Sequence, residues 1–390
     1  MKSNSFDVII VGGAVMGSSA AHHLLAFEPH LKLAVVERDP TYSRAATPLS
    51  LGGVRIQFSL KENILMSLYA IQYFTRFEEE MAMEGEKPCL NFHQEGYLFL
   101  VDPSGRAAAE ESLILQKELG CEVEWWSPEE IKSHFPLLSV AGVVGGTFGS
   151  KDGYLDPYAL LMAYRAKAIS SGARYIADEV VEIKKSGKSI TGVELASGQK
   201  LKAPIVVNAT GPWAAEVART AGVELPIYPT KRQVFCLKPN FFLDQHLPLV
   251  IAPSGLYFRT ETGGQLLVGR SLQQDKVGFD FEWKWSRFED ILWPELARIV
   301  PAFATLKLVR GWAGLYELNR LDHNAILGPW PDLPGLFLIN GFSGHGLQQS
   351  PAAGRYLAEL ILKRNPILDL SCFSPQRILS NHPPQEGGVV

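Results

Sequence analysis

The stretch FDVIIVGGAVMGSSAAHHLL, residues 6–25, limits what this chain can become more than any other part of it. Phe6–Val11 reads as a buried strand, a tight glycine turn follows, and a helix is predicted from about Met16. A second strand, LKLAVVE, ends at Glu37, 20 residues beyond Gly17. This is the layout of a βαβ unit that binds a dinucleotide. Its glycines let backbone approach a pyrophosphate, and the helix start offers unpaired N–H groups and the positive end of the dipole. A carboxylate at Glu37 accepts bonds from the adenosine ribose and disfavours a 2′-phosphate, which argues against NADP. Read as G-x-G-x-x-G, the fingerprint falls on Gly12, Ala14 and Gly17, with Gly13, Val15 and Met16 between and beside them. Alanine replaces the middle glycine, and its methyl group is accommodated if φ there is negative.

Composition narrows the class. A chain of 390 residues is long for one domain and comfortable for two. With 46% hydrophobic and 20% charged residues it builds a full core and is not disordered. The net charge of −4 offers no basic surface for nucleic acid or an anionic membrane. Cys89, Cys121, Cys236 and Cys372 form no CxxC, which favours buried thiols in a reducing compartment over a disulfide framework or a metal site. The first strand begins at about Phe6, leaving no room for a targeting peptide, and no apolar run reaches the roughly 18 residues of a membrane span. The expectation is a soluble, cytoplasmic protein.

The strand–glycine–helix junction recurs at LKAPIVVNATGPWAAEVA (201–218) and at LPGLFLINGFSGHGLQQSPAAGRYLAELIL (333–362). Ligands of open parallel sheets bind at the C-terminal edge of the strands, so the three loops are expected to meet around one extended cofactor. NFHQEGYLFLVD (91–102) and SGLYFRTETGGQLLVGRS (254–271) alternate and turn like antiparallel strands. AEESLILQKELG and FEDILWPELARIV read as helices. The predicted architecture is therefore α/β with an α+β second part. Residues 1–85, 150–220 and 322–390 form a discontinuous nucleotide domain, and 86–149 and 221–321 an inserted antiparallel-sheet substrate domain. The final NHPPQEGGVV reads as a loose tail. Ser343 lies in G-F-S-G and is not a nucleophile elbow.

GGAVMG, ERD at 37–39, NATGPWA at 208–214 and NGFSGHGLQQ resemble the D-amino-acid oxidase/sarcosine oxidase (DAO) family of FAD enzymes. LGGVRIQFSLKEN, GYLDPYALL, WAGLYELNRLDHNAILGP and GFSGHGLQQSPAAGR resemble a mitochondrial branch of that family concerned with respiratory-complex assembly. The resemblance implies a Rossmann-like FAD domain of the glutathione-reductase/DAO type. Glu37, Arg38 and Asp39 would serve the adenosine, and the backbone of Val180 would meet the adenine. Ser43, Arg44, Ala46, Thr47, Ser50, Leu51, Gly53, Val54 and Arg55 would run along the pyrophosphate, ribityl chain and ring. Ala209, Thr210, Gly211 and Trp213 form the second junction. Gly344 and His345 would lie against the flavin, and the N–H groups of Gly346, Leu347 and Gln348 would face the charge of its pyrimidine edge. Covalent members carry a cysteine near the position of Gly314, so the FAD is expected to be held non-covalently.

The substrate side departs from the family pattern. Gln348 stands where sarcosine oxidases have a lysine, and of two arginine positions only Arg55 remains, the second being Phe58. Arg259, with Tyr257 and Tyr316, offers a replacement site for a carboxylate. The alternatives are a solvated edge charge for Arg259 and packing roles for the tyrosines. His345 either sits beside flavin or substrate or is a structural residue of its own loop. Leu267 stands where a lysine speeds reaction with oxygen, which implies a poor oxidase unless Arg270 or Arg55 reaches that spot. The implied activity is oxidation of the C–N bond of a secondary or N-substituted amino acid or amine, by hydride transfer to flavin N5. Electrons would pass to oxygen, a quinone, another flavoprotein or a partner subunit. The alternatives are a weakly catalytic assembly flavoprotein and one subunit of a heteromeric dehydrogenase.

Overall fold

Val8–Val11 buries all four of its side chains because it is an interior strand of a six-stranded sheet. The structure, a computed structural model, describes residues 4–243, 246–261, 263–384 and 386–387. Across the sheet the order is Ile326–Pro329, Leu336–Asn340, Ile205–Asn208, Val8–Val11, Leu33–Glu37, Arg174–Ala177. Neighbours are parallel except the first pair, which is antiparallel. Strand alternation sends Val8 and Ile10 to one side and Ile9 and Val11 to the other. Helices Val15–Phe27, Lys61–Phe74, Pro157–Ser170 and Gly346–Ile361 cover the first side. A three-stranded sheet (Val180–Ser186, Ser189–Leu195, Lys200–Lys202) and helix Ala214–Thr220 cover the second.

Eight further strands, drawn from 97–149 and 227–319, form a second sheet. Its order is Lys307–Asn319, Ile227–Lys238, Gln265–Arg270, Leu256–Glu261, Leu249–Ile251, Tyr97–Val101, Gly145–Gly149, Val123–Trp126. All pairs are antiparallel but Leu249–Ile251 with Tyr97–Val101. One face, with Phe235, Leu237, Phe258, Leu266 and Val268, packs on Phe288, Leu292 and Leu296 of the short helical stretch 285–299. The other face presents Tyr97, Leu249, Ile251 and Tyr257, and beside them Val234, Cys236 and Leu267, with Leu51 of the nucleotide domain laid against both groups. The site therefore lies between this face and the C-terminal edge of the parallel sheet.

The tail differs from the expectation of a loose end. Glu386 accepts hydrogen bonds from the backbone N–H groups of Ser59 and Leu60 (3.0 Å each) and from Asn63 Nδ2 (2.9 Å). A carboxylate thus neutralises the open start of helix Lys61–Phe74, where Leu60 offers no side-chain cap. Residues 385 and 388–390 of the tail lie outside the described residues. Among the described residues no helix is long and apolar enough to cross a membrane.

Candidate active site

The three glycine junctions open on one continuous cavity of ≈ 470 Å³ that runs from Glu37 and Val180 to Tyr257 and Gln348. At the first junction Gly12 has φ +95°, and a Cβ there would lie 2.5 Å from the carbonyl oxygen of Ala209. A Cβ on Gly17 would lie 1.9 Å from the Gly12 oxygen. Ala14 has φ −68°, so its methyl group is free of strain. The Gly13 N–H donates to Glu37 Oε2 (2.8 Å) and the Asp39 N–H to Glu37 Oε1 (2.9 Å). Burial pushes the Glu37 carboxyl up, and these two bonds oppose it. Asp39 goes the other way, to about 2, held there by the hydroxyls of Thr41 and Ser43. The guanidinium carbon of Arg38 lies 3.9 Å above the ring of Trp213.

Segment 43–55 is pinned across the domain boundary. Trp312 Nε1 donates to the Leu49 oxygen (2.9 Å) and Arg259 Nη2 to the Leu51 oxygen (3.0 Å). Arg259 is thereby turned away from the cavity. Nη1 donates to the Thr260 oxygen (2.9 Å) and Nη2 also to Glu261 Oε2 (2.8 Å), and the guanidinium lies 3.7 Å over Tyr154. Four predicted cofactor residues also fall outside the lining: Gly13, whose N–H is committed to Glu37; Gly17, which closes the turn; Ser43, turned to Asp39; and Val54, buried in strand Gly53–Val54. The remaining residues predicted for cofactor and substrate line the cavity.

At the far end Arg55 is buried, and its side chain meets Gln57, His345 and Phe58. Nη1 donates to the Gln57 oxygen (2.7 Å), Nη2 to His345 Nε2 (3.1 Å), and the guanidinium lies 4.2 Å over the ring of Phe58. Phe58 thus serves the remaining arginine as a cation–π platform and meets His345 edge-on at 5.0 Å. Arginine has no acceptor, so His345 Nε2 accepts and its proton sits on Nδ1. Burial, and then the charge of Arg55, push His345 down to about 3; it is neutral at any physiological pH. The Arg55 N–H donates to Gln348 Oε1 (2.7 Å), while Gln348 Nε2 is buried with no partner among the described residues. Gly344, at φ +103°, brings the loop onto Tyr316: a Cβ there would lie 2.3 Å from the ring.

Three groups had no sequence signal. Asp152 is fully buried, accepts from the Ile56 N–H (2.8 Å) and Gln57 Nε2 (2.9 Å), and is raised by burial to about 7. Glu317 accepts from the Gly341 N–H (2.9 Å) and is likewise raised to about 7. Arg232, paired with Gly314 across the sheet, lines the cavity where Arg259 does not. It lies 5.0 Å over Tyr316 and donates to Asp275 Oδ2 (3.0 Å), while Arg287 Nη2 lies 3.0 Å from Asp275 Oδ1. Two cations thus share one anion, and Arg232 Nε is buried without a partner among the described residues. Leu267 faces the site side of the sheet in an apolar group with Val234 and Cys236, covered by Leu51 and Trp312. Arg270 points to the opposite face and pairs with Glu295 (2.7 Å), so it does not stand in for a lysine at Leu267.

These residues fit a flavin dinucleotide. Both ends of the cavity carry glycines that a side chain would fill, a carboxylate waits at one end, and the orphaned Gln348 Nε2 and the open start of helix Gly346–Ile361 wait at the other.

The family model described as DAO, FAD dependent oxidoreductase, matches residues 7–360. The chain is 38% identical to FAD-dependent oxidoreductase domain-containing protein 1 of Xenopus laevis, over 98% of this chain and 85% of that protein. It is 26% identical to human mitochondrial dimethylglycine dehydrogenase, over 95% of this chain and 44% of that protein. Among solved structures, L-proline dehydrogenase from P. horikoshii superposes with a TM-score of 0.88 at 26% identity, covering 97% of this chain and 99% of that one.

Proposed function

The chain belongs to the DAO family of FAD-dependent oxidoreductases, and on that premise we propose that it oxidises the C–N bond of a secondary or N-substituted amino acid. Relatives whose names specify proline and dimethylglycine support that substrate class. The observation that carries the reading is Arg232: a guanidinium that lines the cavity, 5.0 Å over Tyr316, beside a wall of Tyr97, Leu249, Ile251 and Tyr257. Such a wall desolvates an amine and offers one cation to a carboxylate. FAD, when bound, supplies the two-electron acceptor. The chain's own residues orient the substrate and exclude water. His345 is held neutral by burial and by Arg55, so it adds no positive charge to repel a protonated amine. The FAD is held by non-covalent contacts, with Gly314 facing Leu49.

Anaerobic bleaching of the flavin over a panel of amines and N-substituted amino acids tests the reading. Secondary amino acids are expected to bleach it, and Arg232→Met to raise KM about tenfold or more for carboxylated substrates but not for their decarboxylated analogues. Equal bleaching by both classes would remove the carboxylate from the proposal. No bleaching by any candidate would favour the weakly catalytic assembly role.

Oxygen is a poor acceptor in this reading, because the apolar group around Leu267 offers no charge to a developing superoxide. Stopped-flow mixing of the reduced protein with oxygenated buffer is expected to give slow reoxidation. Rapid reoxidation, unchanged in Leu267→Lys, would refute this part.

A further inference from the structure

We propose that the segment 271–284, which the inserted domain sends toward the nucleotide domain, is a strap that fixes the adenosine half of the FAD by stacking on Trp213 and Arg44. The proposal rests on the FAD lying with its adenosine at Glu37, as read above. The base of the strap is built in. Lys231, a buried lysine, donates from Nζ to Asp280 Oδ2 (2.6 Å) and to the Glu282 oxygen (2.9 Å). The Gly278 N–H donates to the Pro229 oxygen (2.8 Å) and the Lys284 N–H to Gln233 Oε1 (2.7 Å). An extended segment anchored in this way presents every second side chain. Trp283 covers Gly311 of the sheet, where a Cβ would lie 2.7 Å from the indole.

Phe279 and Phe281 reach the other domain. The ring of Phe279 stacks on Trp213 at 5.1 Å and 10°, and that of Phe281 at 6.4 Å and 14°. Arg44 lies 5.5 Å over Phe281 and Arg38 3.9 Å over Trp213. Trp213, Arg38 and Arg44 line the cavity beside Glu37 and Val180; Phe279 and Phe281 do not. The two phenylalanines are therefore positioning residues. They hold an indole and two guanidinium groups at the end of the cavity that takes a purine nucleoside diphosphate. Phe279 keeps 41% of its surface exposed, so it is spent on this stack rather than on a core.

The test is titration of the deflavinated protein with FAD, ADP and FMN. Phe279→Ala is expected to weaken FAD and ADP roughly two- to tenfold, the range of one aromatic pair, and to leave FMN unchanged because FMN lacks the adenosine half. The Phe279→Ala, Phe281→Ala double variant should lose more, and Phe279→Trp should restore FAD. Equal losses for FAD and FMN, or no loss for FAD and ADP, would overturn the strap. If the natural protein took FMN but neither FAD nor ADP, the cofactor orientation itself would fall and the strap with it.

Discussion

A methyl group on Gly17 would sit 1.9 Å from the carbonyl oxygen of Gly12; one on Gly344 would sit 2.3 Å from the ring of Tyr316. The two glycine loops serve opposite ends of one cavity, but the first is hemmed in by backbone and the second by a side chain. Around the first, the partners are close in sequence or lie on the adjoining strand: Glu37, Asp39, Ala209. Around the second they are distant: Arg55 bonds His345 across 290 residues and Gln348 across 293. A loop enclosed by main chain carries its own geometry wherever it occurs. A loop enclosed by remote side chains works only once the whole fold has closed on it.

The largest effect tests that contrast directly. Gly17→Ala is expected to abolish flavin binding, because no rotamer moves a backbone oxygen out of the way and overpacking costs about 1–3 kcal/mol or more. The purified protein should be colourless. Gly344→Ala should also lose flavin, yet adding Tyr316→Ser should recover part of it, leaving only the backbone strain of φ +103°, about 1–2 kcal/mol. Recovery of Gly17→Ala by any side-chain change nearby, or none for Gly344→Ala, would erase the distinction.

A smaller loss is expected at Glu37. Glu37→Ala removes the acceptor of two N–H groups and a ribose contact, so FAD retention should fall about tenfold or more, at about 1.5–3 kcal/mol for each bond to a charge. Full flavin occupancy after dialysis would show that the adenosine lies elsewhere.

How much of this was legible depended on the reach of each interaction. The first βαβ unit and the alternation of parallel and antiparallel segments follow from neighbours in sequence. Lys231 and Arg232 are adjacent cations, and nothing local tells which faces the cavity; Lys231 is pinned to Asp280 and Arg232 turns inward. Arg259 was read either as a replacement carboxylate site or as a solvated edge charge; it is buried and outside the cavity lining, with Nη1 and Nη2 bonded to Leu51, Thr260 and Glu261. Phe58, read as a missing arginine, is the platform under Arg55. Asp152 meets its partners across 95 and 96 residues and had no motif to mark it.

The smallest predicted effect belongs to that buried carboxyl. Asp152 is raised from 3.8 to about 7, so the folded protein keeps a proton that the unfolded chain has released. Its contribution to stability is full below about pH 4, declines as pH rises, and is lost through about pH 7; Glu317 acts in the same direction. Melting of the deflavinated protein at pH 5 and pH 8 should show the difference, and Asp152→Asn should shrink it. An unchanged pH dependence in that variant would assign the effect elsewhere.

The order of the parallel sheet governs when the protein can first hold its cofactor. Val8–Val11 finds Leu33–Glu37 early in synthesis, but its other neighbour begins at Ile205, which is 205 − 8 = 197 residues after Val8. At roughly 5–20 residues per second, a translating ribosome leaves that inner edge bare for on the order of 10–40 s. An apolar strand with open hydrogen-bonding groups invites mispairing for all of that time. Flavin gives no early protection, because the loop at Gly344 is made later still. Chains stalled on the ribosome before residue 340 are therefore expected to bind no FAD and to depend on chaperones, and the cofactor joins a finished scaffold instead of nucleating one.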